Sequence, residues 1–303
     1  MTKLYYDVGE IGWSMYLAAH IRYLHENRRP AAVATAEAKR VFYRGTASEI
    51  LPVPFEWKEK FGGFPSDGGH LYNPVTRRRI KDHQILSEPF RKAYPGYDVV
   101  TRYGTFPNER TFAPYNHSEE AEEFVRETFQ QRKAILIFPR HRGSKFKGRN
   151  IPRRYWEIIA DALCERFPEN TVAAFGSRNG AYTDLSVSRE NYMNLVGRND
   201  AVSLDWMTAL CNTGFARAAV GNQSGTVKMT LLCGTPTFIF GHEEHRHTVT
   251  ENWAGTKVGF YRAGPLVKWD RKASLFGYRI KSLTKFIDQV IDFVEQVQPV
   301  VKH

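Results

Sequence analysis

The turn Ser224-Gly225-Thr226 lies between an apolar strand and a short apolar helix, and a second apolar strand follows up to Gly241. In a parallel sheet, such a turn lies at the carboxyl edge, where the first backbone N–H groups of the helix lack intrahelical partners. Those N–H groups favour an anion, most often a phosphate, and a glycine lets the backbone approach it closely. The segment therefore predicts a phosphate site, with Gln223 beside it and Lys228 one turn along the helix. The alternative is an ordinary helix start.

A basic loop follows the apolar run Ala134–Phe138, which is typical of a strand buried in a parallel sheet. The basic residues of this loop are Arg140, Arg142, Lys145, Lys147 and Arg149. The fork of an arginine side chain suits bidentate phosphate contact. We assign phosphate binding first to Arg140 and Lys147, then to Arg142 and Arg149; a solvated surface loop is the alternative for several of them.

The composition is that of a basic, folded protein. The chain has 303 residues, 42% of them hydrophobic, and a formal net charge of +11. This charge predicts an anionic partner: nucleotide phosphates, a phosphorylated acceptor, an anionic membrane surface or a nucleic acid. We expect no transmembrane segment, because charges interrupt every apolar run. The single cysteines Cys164, Cys211 and Cys233 predict buried thiols and a cytoplasmic protein, with binding at the periphery of a membrane as a variant.

Strand and helix patterns alternate at both ends of the chain. Leu4–Val8 is a strand candidate and the following helix runs to His25, whereas residues 40–115 are rich in proline and glycine and resist assignment. From 134 onward the alternation is regular, which predicts a second parallel sheet. We therefore predict an α/β protein with two Rossmann-like domains that hold a ligand in the cleft between them.

Five sequence blocks in the second half resemble GT-B glycosyltransferases, in particular the ADP-heptose:lipopolysaccharide heptosyltransferase family. In order, these blocks are Ile135–Arg140, Lys147–Trp156, Asn194–Gly197, Leu204–Leu210 and Gln223–Gly241. The resemblance implies an acceptor domain over residues 1–130 and a nucleotide-sugar domain over 131–280. It also implies that a last helix, within 281–303, packs back on the first domain.

The resemblance further implies the reaction: inverting, metal-independent transfer of a sugar from a nucleoside-diphosphate sugar, without a cofactor. The turn Gly9-Glu10-Ile11-Gly12 resembles the family's turn that carries the catalytic base. Glu10 is then the base, Asp7 is the second candidate, and Gly12 adjoins the acceptor. A carboxylate that is partly desolvated at such a turn can have its pKa raised toward this task. The alternative is an acidic residue favoured by the helix dipole.

Other residues are candidates for the rest of the site. Gly176 and Ser177, at the end of a strand, are expected to lie along the nucleotide base or ribose, with an ordinary sheet-end turn as the alternative. Glu243 and Glu244 belong to a histidine-rich segment that suggests metal binding but lacks a helical metal-ligand spacing, so we expect them at a sugar or ribose hydroxyl. Arg77 and Arg78 are candidates for an anionic acceptor, such as a phosphorylated glycan or lipid, or DNA; a solvated turn is the alternative.

Two positions depart from the family pattern, because Gln223 replaces an aspartate and Lys228 replaces a histidine. Both changes make the phosphate turn more positive, which favours a different nucleotide, sugar or acceptor. Four alternatives stay open. Segment Pro139–Lys145 faintly resembles a loop of GDP-fucose fucosyltransferases, the net charge suits a glycosyltransferase acting on nucleic-acid bases, and the fold also serves sugar-nucleotide epimerisation. The two departures also suit a non-catalytic nucleotide- or polyanion-binding protein.

Overall fold

The computed structural model describes residues 1–8, 11–54, 71–72, 79–80, 83–100, 109–141, 150–222, 224–242, 261–267 and 283–297. The chain divides into two compact units, Met1–Asn116 and His117–His303. Each unit is built around its own parallel sheet. The prediction of an α/β protein with two Rossmann-like domains is confirmed at this level.

The first unit holds a four-stranded parallel sheet, two helices, a 3₁₀ helix and a short antiparallel pair of strands. Its strands are β1 Thr2–Asp7, β2 Ala32–Thr35, β3 Glu49–Pro52, β4 Leu71–Tyr72, β5 Arg79–Ile80 and β6 Tyr97–Val99; its helices are α1 Ile11–Glu26, the 3₁₀ helix Glu37–Phe42 and α2 His83–Ala93. The order in the sheet is β3-β2-β1-β6, and β4 pairs with β5. Strand β1 is thus central, and the turn after it lies at the middle of the sheet's carboxyl edge.

Helix α2 lies in the stretch that the sequence left unassigned. Pro89 is inside this helix, and an internal proline removes a backbone hydrogen bond and argues against a helix. Packing outweighs that penalty, because Phe90 is fully buried and its ring stacks on that of Tyr6 from β1, with centroids 4.7 Å apart. The tertiary contact, which local sequence does not report, explains why this helix was missed.

The second unit holds a six-stranded parallel sheet. Its strands are β7 Ala134–Phe138, β8 Thr171–Ala174, β9 Tyr192–Asn194, β10 Ala216–Asn222, β11 Thr237–His242 and β12 Tyr261–Val267; its helices are α3 Glu119–Phe129, α4 Arg153–Arg166, α5 Ser203–Asn212, α6 Gly225–Leu232 and α7 Leu283–Gln296. The order in the sheet is β12-β11-β10-β7-β8-β9. Strands β8 and β9 therefore extend the sheet on one side of β7, whereas β10, β11 and β12 extend it on the other side.

Helix α3 belongs to the second unit, although the sequence placed it in the first domain, 1–130. At the start of the helix, the Ser118 hydroxyl accepts a hydrogen bond from the Ala121 N–H at 3.2 Å. The Ser118 N–H in turn donates to Asp205 in α5 at 3.1 Å, and the rings of Phe124 and Trp206 stack with centroids 3.9 Å apart. These contacts move the boundary to Asn116.

The last helix, α7, packs in the core of the second unit. We had expected it to pack back on the first domain. Its residues Phe286, Val290, Phe293 and Val294 are buried in one cluster with strands β7, β10 and β11. Phe286 contacts Phe238 and Phe240 edge-on, with centroids 6.0 and 5.0 Å apart. The amphipathic pattern predicted the helix, but the surface it covers is set by the aromatic residues of β11.

Two sequence expectations concern the chain as a whole. Among the described residues, no helix is long and apolar enough to cross a membrane. The thiols of Cys164, Cys211 and Cys233 are all buried, as predicted, and burial raises the pKa of the Cys164 thiol to about 11.

Candidate functional site

The second unit has a topological switch point between β7 and β10. The two strands are parallel neighbours, with Phe138 of β7 paired to Gly221 of β10. The chain leaves the carboxyl ends of these two strands in opposite directions along the sheet. In open α/β sheets, ligands bind in the crevice that this divergence opens. The start of α6 follows β10 and Arg140 follows β7, so both lie at this edge of the sheet.

Gly221 allows α6 to pack directly against the strand end. A Cβ atom at this position would lie 2.5 Å from Val227 Cγ2 and 3.1 Å from Phe138 Cβ. Any side chain would therefore push the first turn of the helix away from the sheet. The close approach places the start of α6 at the crevice.

The start of α6 suits an anion. Ser224 occupies the N-cap position in extended conformation, but its side chain makes no capping hydrogen bond with the helix backbone. Instead its hydroxyl lies 3.0 Å from that of Thr226. The first intrahelical bond runs from the Lys228 N–H to the Ser224 carbonyl at 3.3 Å, so the preceding N–H groups have no intrahelical partner. Ser224, Gly225, Thr226 and Lys228 are half-buried.

Arg140 is a buried cation two residues beyond β7. Its side chain is only 6% exposed, and its Nη1 atom donates to Asn150 Oδ1 at 2.5 Å. The backbone N–H of Arg140 bonds to the Phe138 carbonyl at 2.7 Å, which turns the chain sharply at the strand end. A guanidinium excluded from water interacts strongly with an anion. The crevice thus combines a helix start and a buried positive charge on adjacent strand ends.

The loop after β8 lies against the same segment. The His141 N–H donates to the Gly180 carbonyl, and the Tyr182 N–H donates to the Pro139 carbonyl, both at 2.9 Å. A Cβ atom on Gly176 would lie 2.4 Å from Ala181 Cβ, so glycine is required for this loop to close. The structure therefore brings Arg140, Gly176 and Ser177 into one layer of loops at the carboxyl edge of the second sheet.

The rings of His141 and Tyr182 stack with centroids 4.4 Å apart. The Tyr182 hydroxyl donates to the Ile151 carbonyl at 3.2 Å. Burial raises the pKa of Tyr182 above its ordinary value of 10.0, so the phenol stays neutral at physiological pH. The pair joins the loop after β7 to the loop after β8.

The first unit places Asp7 at the carboxyl end of its central strand, in a polar cluster that we call the Asp7 cluster: Asp7, Ser14, Thr35, Lys39 and Tyr43. Asp7 is 1% exposed and Lys39 is fully buried. The Asp7 carboxylate accepts hydrogen bonds from Ser14 at 2.9 Å and Lys39 at 3.1 Å on one oxygen. Its other oxygen accepts from Tyr43 at 2.7 Å and Thr35 at 3.5 Å. These donors satisfy the carboxylate within the core.

Gly12 is the second residue of α1. Among the described residues, no atom lies within 4 Å of the position that a Cβ atom would occupy there. The acceptor role of Gly12 stays a prediction.

Several predicted site residues lie outside the described residues, and their roles stay predictions. They are Glu10, Arg77, Arg78, Arg142, Lys147, Arg149, Gln223, Glu243 and Glu244. Among the described residues, no group of histidine, cysteine and acidic side chains could hold a metal ion.

Sequence reasoning missed the partners of Asp7. Lys39 lies in the 3₁₀ helix and Tyr43 just after it. Only the pairing of β1 with β2, which matches Asp7 with Thr35, brings this segment over the end of β1. No local signal in the sequence reports that juxtaposition.

No protein-family model matches the chain, and no curated protein sequence matches it either. Its fold, however, is similar to that of solved glycosyltransferase structures. For the structure of E. coli ADP-heptose LPS heptosyltransferase II, the TM-score is 0.61 at 13% identity, over 98% of this chain and 99% of that chain. For the glycosyl transferase family 9 protein from Veillonella parvula, the TM-score is 0.55 at 10% identity, over 96% of this chain and 97% of that chain. The chain has the GT-B fold.

A third similarity is to E. coli heptosyltransferase WaaC with ADP, with a TM-score of 0.50 and 11% identity over 98% of this chain and 99% of that chain. At such identities the similarity establishes the fold, and the GT-B expectation from the five sequence blocks is confirmed. The match covers both units, so the GT-B fold includes the first unit, where the sequence resemblance rested on one short turn.

Proposed function

We propose that this chain is a glycosyltransferase that moves a sugar from a nucleoside-diphosphate sugar to an acceptor hydroxyl. The observation that carries the proposal is the switch point between the neighbouring strands β7 and β10 in a chain of GT-B fold, with the start of α6 after β10 and the buried Arg140 after β7. The solved structures with this fold include one named as a heptosyltransferase with ADP, which supports a nucleotide ligand here.

The second unit then binds the donor. The N–H groups at Gly225 and Thr226 bind one phosphate, and Arg140 and Lys228 neutralise the charge that grows on the diphosphate as the glycosidic bond breaks. Charge stabilisation by fixed donors in a water-poor crevice needs little reorganisation. In this proposal Arg142, Lys147 and Arg149 assist the phosphates, and Gly176 and Ser177 border the nucleoside.

The first unit supplies the base. Glu10 removes the proton of the acceptor hydroxyl as its oxygen attacks the anomeric carbon, and the nucleoside diphosphate leaves from the opposite face in a single inverting displacement. The enclosure of Asp7 by four donors supports Glu10 rather than Asp7 in this role. In this proposal the acceptor lies beside Gly12, and Arg77 and Arg78 favour an anionic one.

The test measures nucleoside diphosphate released from ADP-, UDP-, GDP- and CDP-sugars, first with water as acceptor and then with sugar phosphates added. We expect one nucleotide class to be turned over, with the rate unchanged by EDTA. Lys228→Met is expected to slow this release, and Lys285→Met, an exposed lysine on α7 of the same unit, provides the matched control.

The same panel separates the alternatives. Binding of one nucleotide class without any release contradicts a transferase and favours a nucleotide-binding protein. Release that appears only with DNA added, and falls steeply as salt is raised, identifies a nucleic-acid acceptor. Absence of both binding and release contradicts the donor site itself.

A further inference from the structure

The Asp7 cluster joins the two ends of the turn that carries Glu10. Asp7 is the last residue of β1, and Ser14 lies in the first turn of α1. The Ser14 hydroxyl donates to the Asp7 carboxylate at 2.9 Å, so the end of β1 is tied to the first turn of α1. These two bonded residues lie on either side of Glu10 in the sequence.

The remaining members of the cluster tie these two element ends to the neighbouring strand. Thr35 ends β2, and Lys39 and Tyr43 belong to the segment that follows it. The Tyr43 hydroxyl donates to Asp7 Oδ2 at 2.7 Å and also lies 3.4 Å from the Ser14 carbonyl oxygen. The Tyr43 phenol thus contacts both the end of β1 and the first turn of α1. Residues in and after β2 therefore hold these two element ends together.

Stability alone does not account for a buried charge pair at this place. Asp7 and Lys39 are 1% and 0% exposed, and the cost of removing both charges from water commonly offsets their attraction. Well-packed apolar side chains of similar volume would stabilise such a site at least as well. By contrast, Asp7 presents fixed acceptors to donors from α1, β2 and the 3₁₀ segment, which apolar packing cannot do. The cluster therefore provides hydrogen bonds of defined direction, although burial of its two charges costs free energy.

We propose that Asp7 and Lys39, with Tyr43, are positioning residues that hold the Glu10 turn in its working geometry. This inference rests on the proposed function, in which Glu10 is the base. The cluster acts on the backbone of segment 8–13, not on the substrate. A displacement of about 1 Å in a catalytic group can reduce the rate about 100-fold.

The decisive variant is the charge-neutral double substitution Asp7→Asn/Lys39→Met. Lys39→Met alone leaves a buried carboxylate without its counter-charge and is expected to destabilise the first unit strongly. The double variant removes both charges together, so we expect its melting temperature to recover most of that loss. Tyr43→Phe removes a single hydroxyl at constant shape and serves as a second, milder variant.

Four measurements are made on each variant: the melting temperature, the affinity for nucleoside diphosphate, the release of nucleoside diphosphate from the sugar nucleotide that the wild-type chain turns over, and amide hydrogen exchange in segment 8–13. Matched controls in the same unit are Lys92→Met, an exposed lysine of α2, and Tyr94→Phe, whose hydroxyl donates to the Pro52 carbonyl. Both controls are expected to retain wild-type release rates and wild-type exchange in segment 8–13.

The inference predicts that the double variant folds, binds nucleoside diphosphate as the wild-type chain does, exchanges segment 8–13 faster, and releases the nucleotide about 100-fold more slowly. Tyr43→Phe is expected to show the same changes at smaller size. Recovery of both melting temperature and release rate in the double variant, with unchanged exchange, overturns the inference and assigns the cluster to packing.

Failure of the proposed function gives a different pattern. If Glu10→Gln releases nucleotide at the wild-type rate, Glu10 is not the base, whatever the double variant does. If Glu10→Gln is slow and the double variant is fast, the base is right and only the positioning role is refuted.

Discussion

The turns at the carboxyl edges of the two sheets are held in different ways. In the second unit, Gly221 lets α6 pack against β7 and β10, and the candidate ligand groups are backbone N–H groups. In the first unit, five buried polar side chains hold the turn after β1. A site made of backbone is disturbed by adding atoms, whereas a site held by side chains is disturbed by removing them. The comparison therefore predicts opposite sensitivities in the two units.

Glu10→Gln is expected to have the largest effect. Loss of a general base costs about 100- to 10,000-fold in rate, whereas the affinity for nucleoside diphosphate, which the second unit determines, is expected to stay unchanged. Nucleotide release and calorimetric binding measured on one preparation check both parts.

The matched control is Glu26→Gln, at the other end of α1, where the side chain is exposed. We expect wild-type rates for it. Loss of nucleotide affinity in Glu10→Gln would contradict the assignment of donor binding to the second unit.

Gly221→Ala adds one methyl group where Val227 Cγ2 would be 2.5 Å away. Overpacking of this kind costs about 1–3 kcal/mol of stability. The shift of α6 away from the sheet is expected to weaken nucleotide binding as well. Urea unfolding and calorimetry measure the two effects.

Gly96→Ala is the control, because no described atom lies within 4 Å of its Cβ position. It is expected to leave nucleotide affinity unchanged. Wild-type affinity in a destabilised Gly221→Ala variant would show that the start of α6 does not contact the ligand.

The regions around Glu10 and Gly221 also show how much of the structure can be predicted from the sequence. The turn between β10 and α6 and the buried run of β7 follow from local pattern and strand alternation, and the structure agrees on these elements; phosphate binding at the turn stays a prediction. The packing reason for Gly221 and the cluster around Asp7 depend on which strands are neighbours, so the sequence alone could not report them. Helix α2 was missed for the same reason, because Phe90 against Tyr6 outweighs Pro89.

Arg140→Met is expected to weaken nucleoside diphosphate binding about tenfold or more, since a hydrogen bond to a charged group contributes about 1.5–3 kcal/mol. Arg132→Met, an exposed arginine before β7, is the control. Because Arg140 also bonds to Asn150, its melting temperature is measured in parallel. A lower melting temperature with unchanged affinity would assign Arg140 to structure alone.

His20 gives the smallest predicted effect and concerns the first unit only. Burial lowers the pKa of His20 below its ordinary value of 6.5, against an opposing effect of the Glu109 carbonyl. The unfolded chain then binds more protons than the folded one, so stability falls as the pH drops below about 6.5. His20→Gln is expected to flatten this dependence in urea unfolding. His25→Gln, an exposed histidine of α1, should leave it intact, and an equal loss in both would contradict the prediction.

The central claim is that a nucleoside diphosphate binds where α6 begins. Amide hydrogen exchange, measured with and without the nucleotide that the panel identifies, tests this location directly. The account predicts slower exchange in segment 224–228, with segment 8–13 unchanged by the nucleotide alone. Protection confined to the first unit, or binding without any protection at the start of α6, would contradict it.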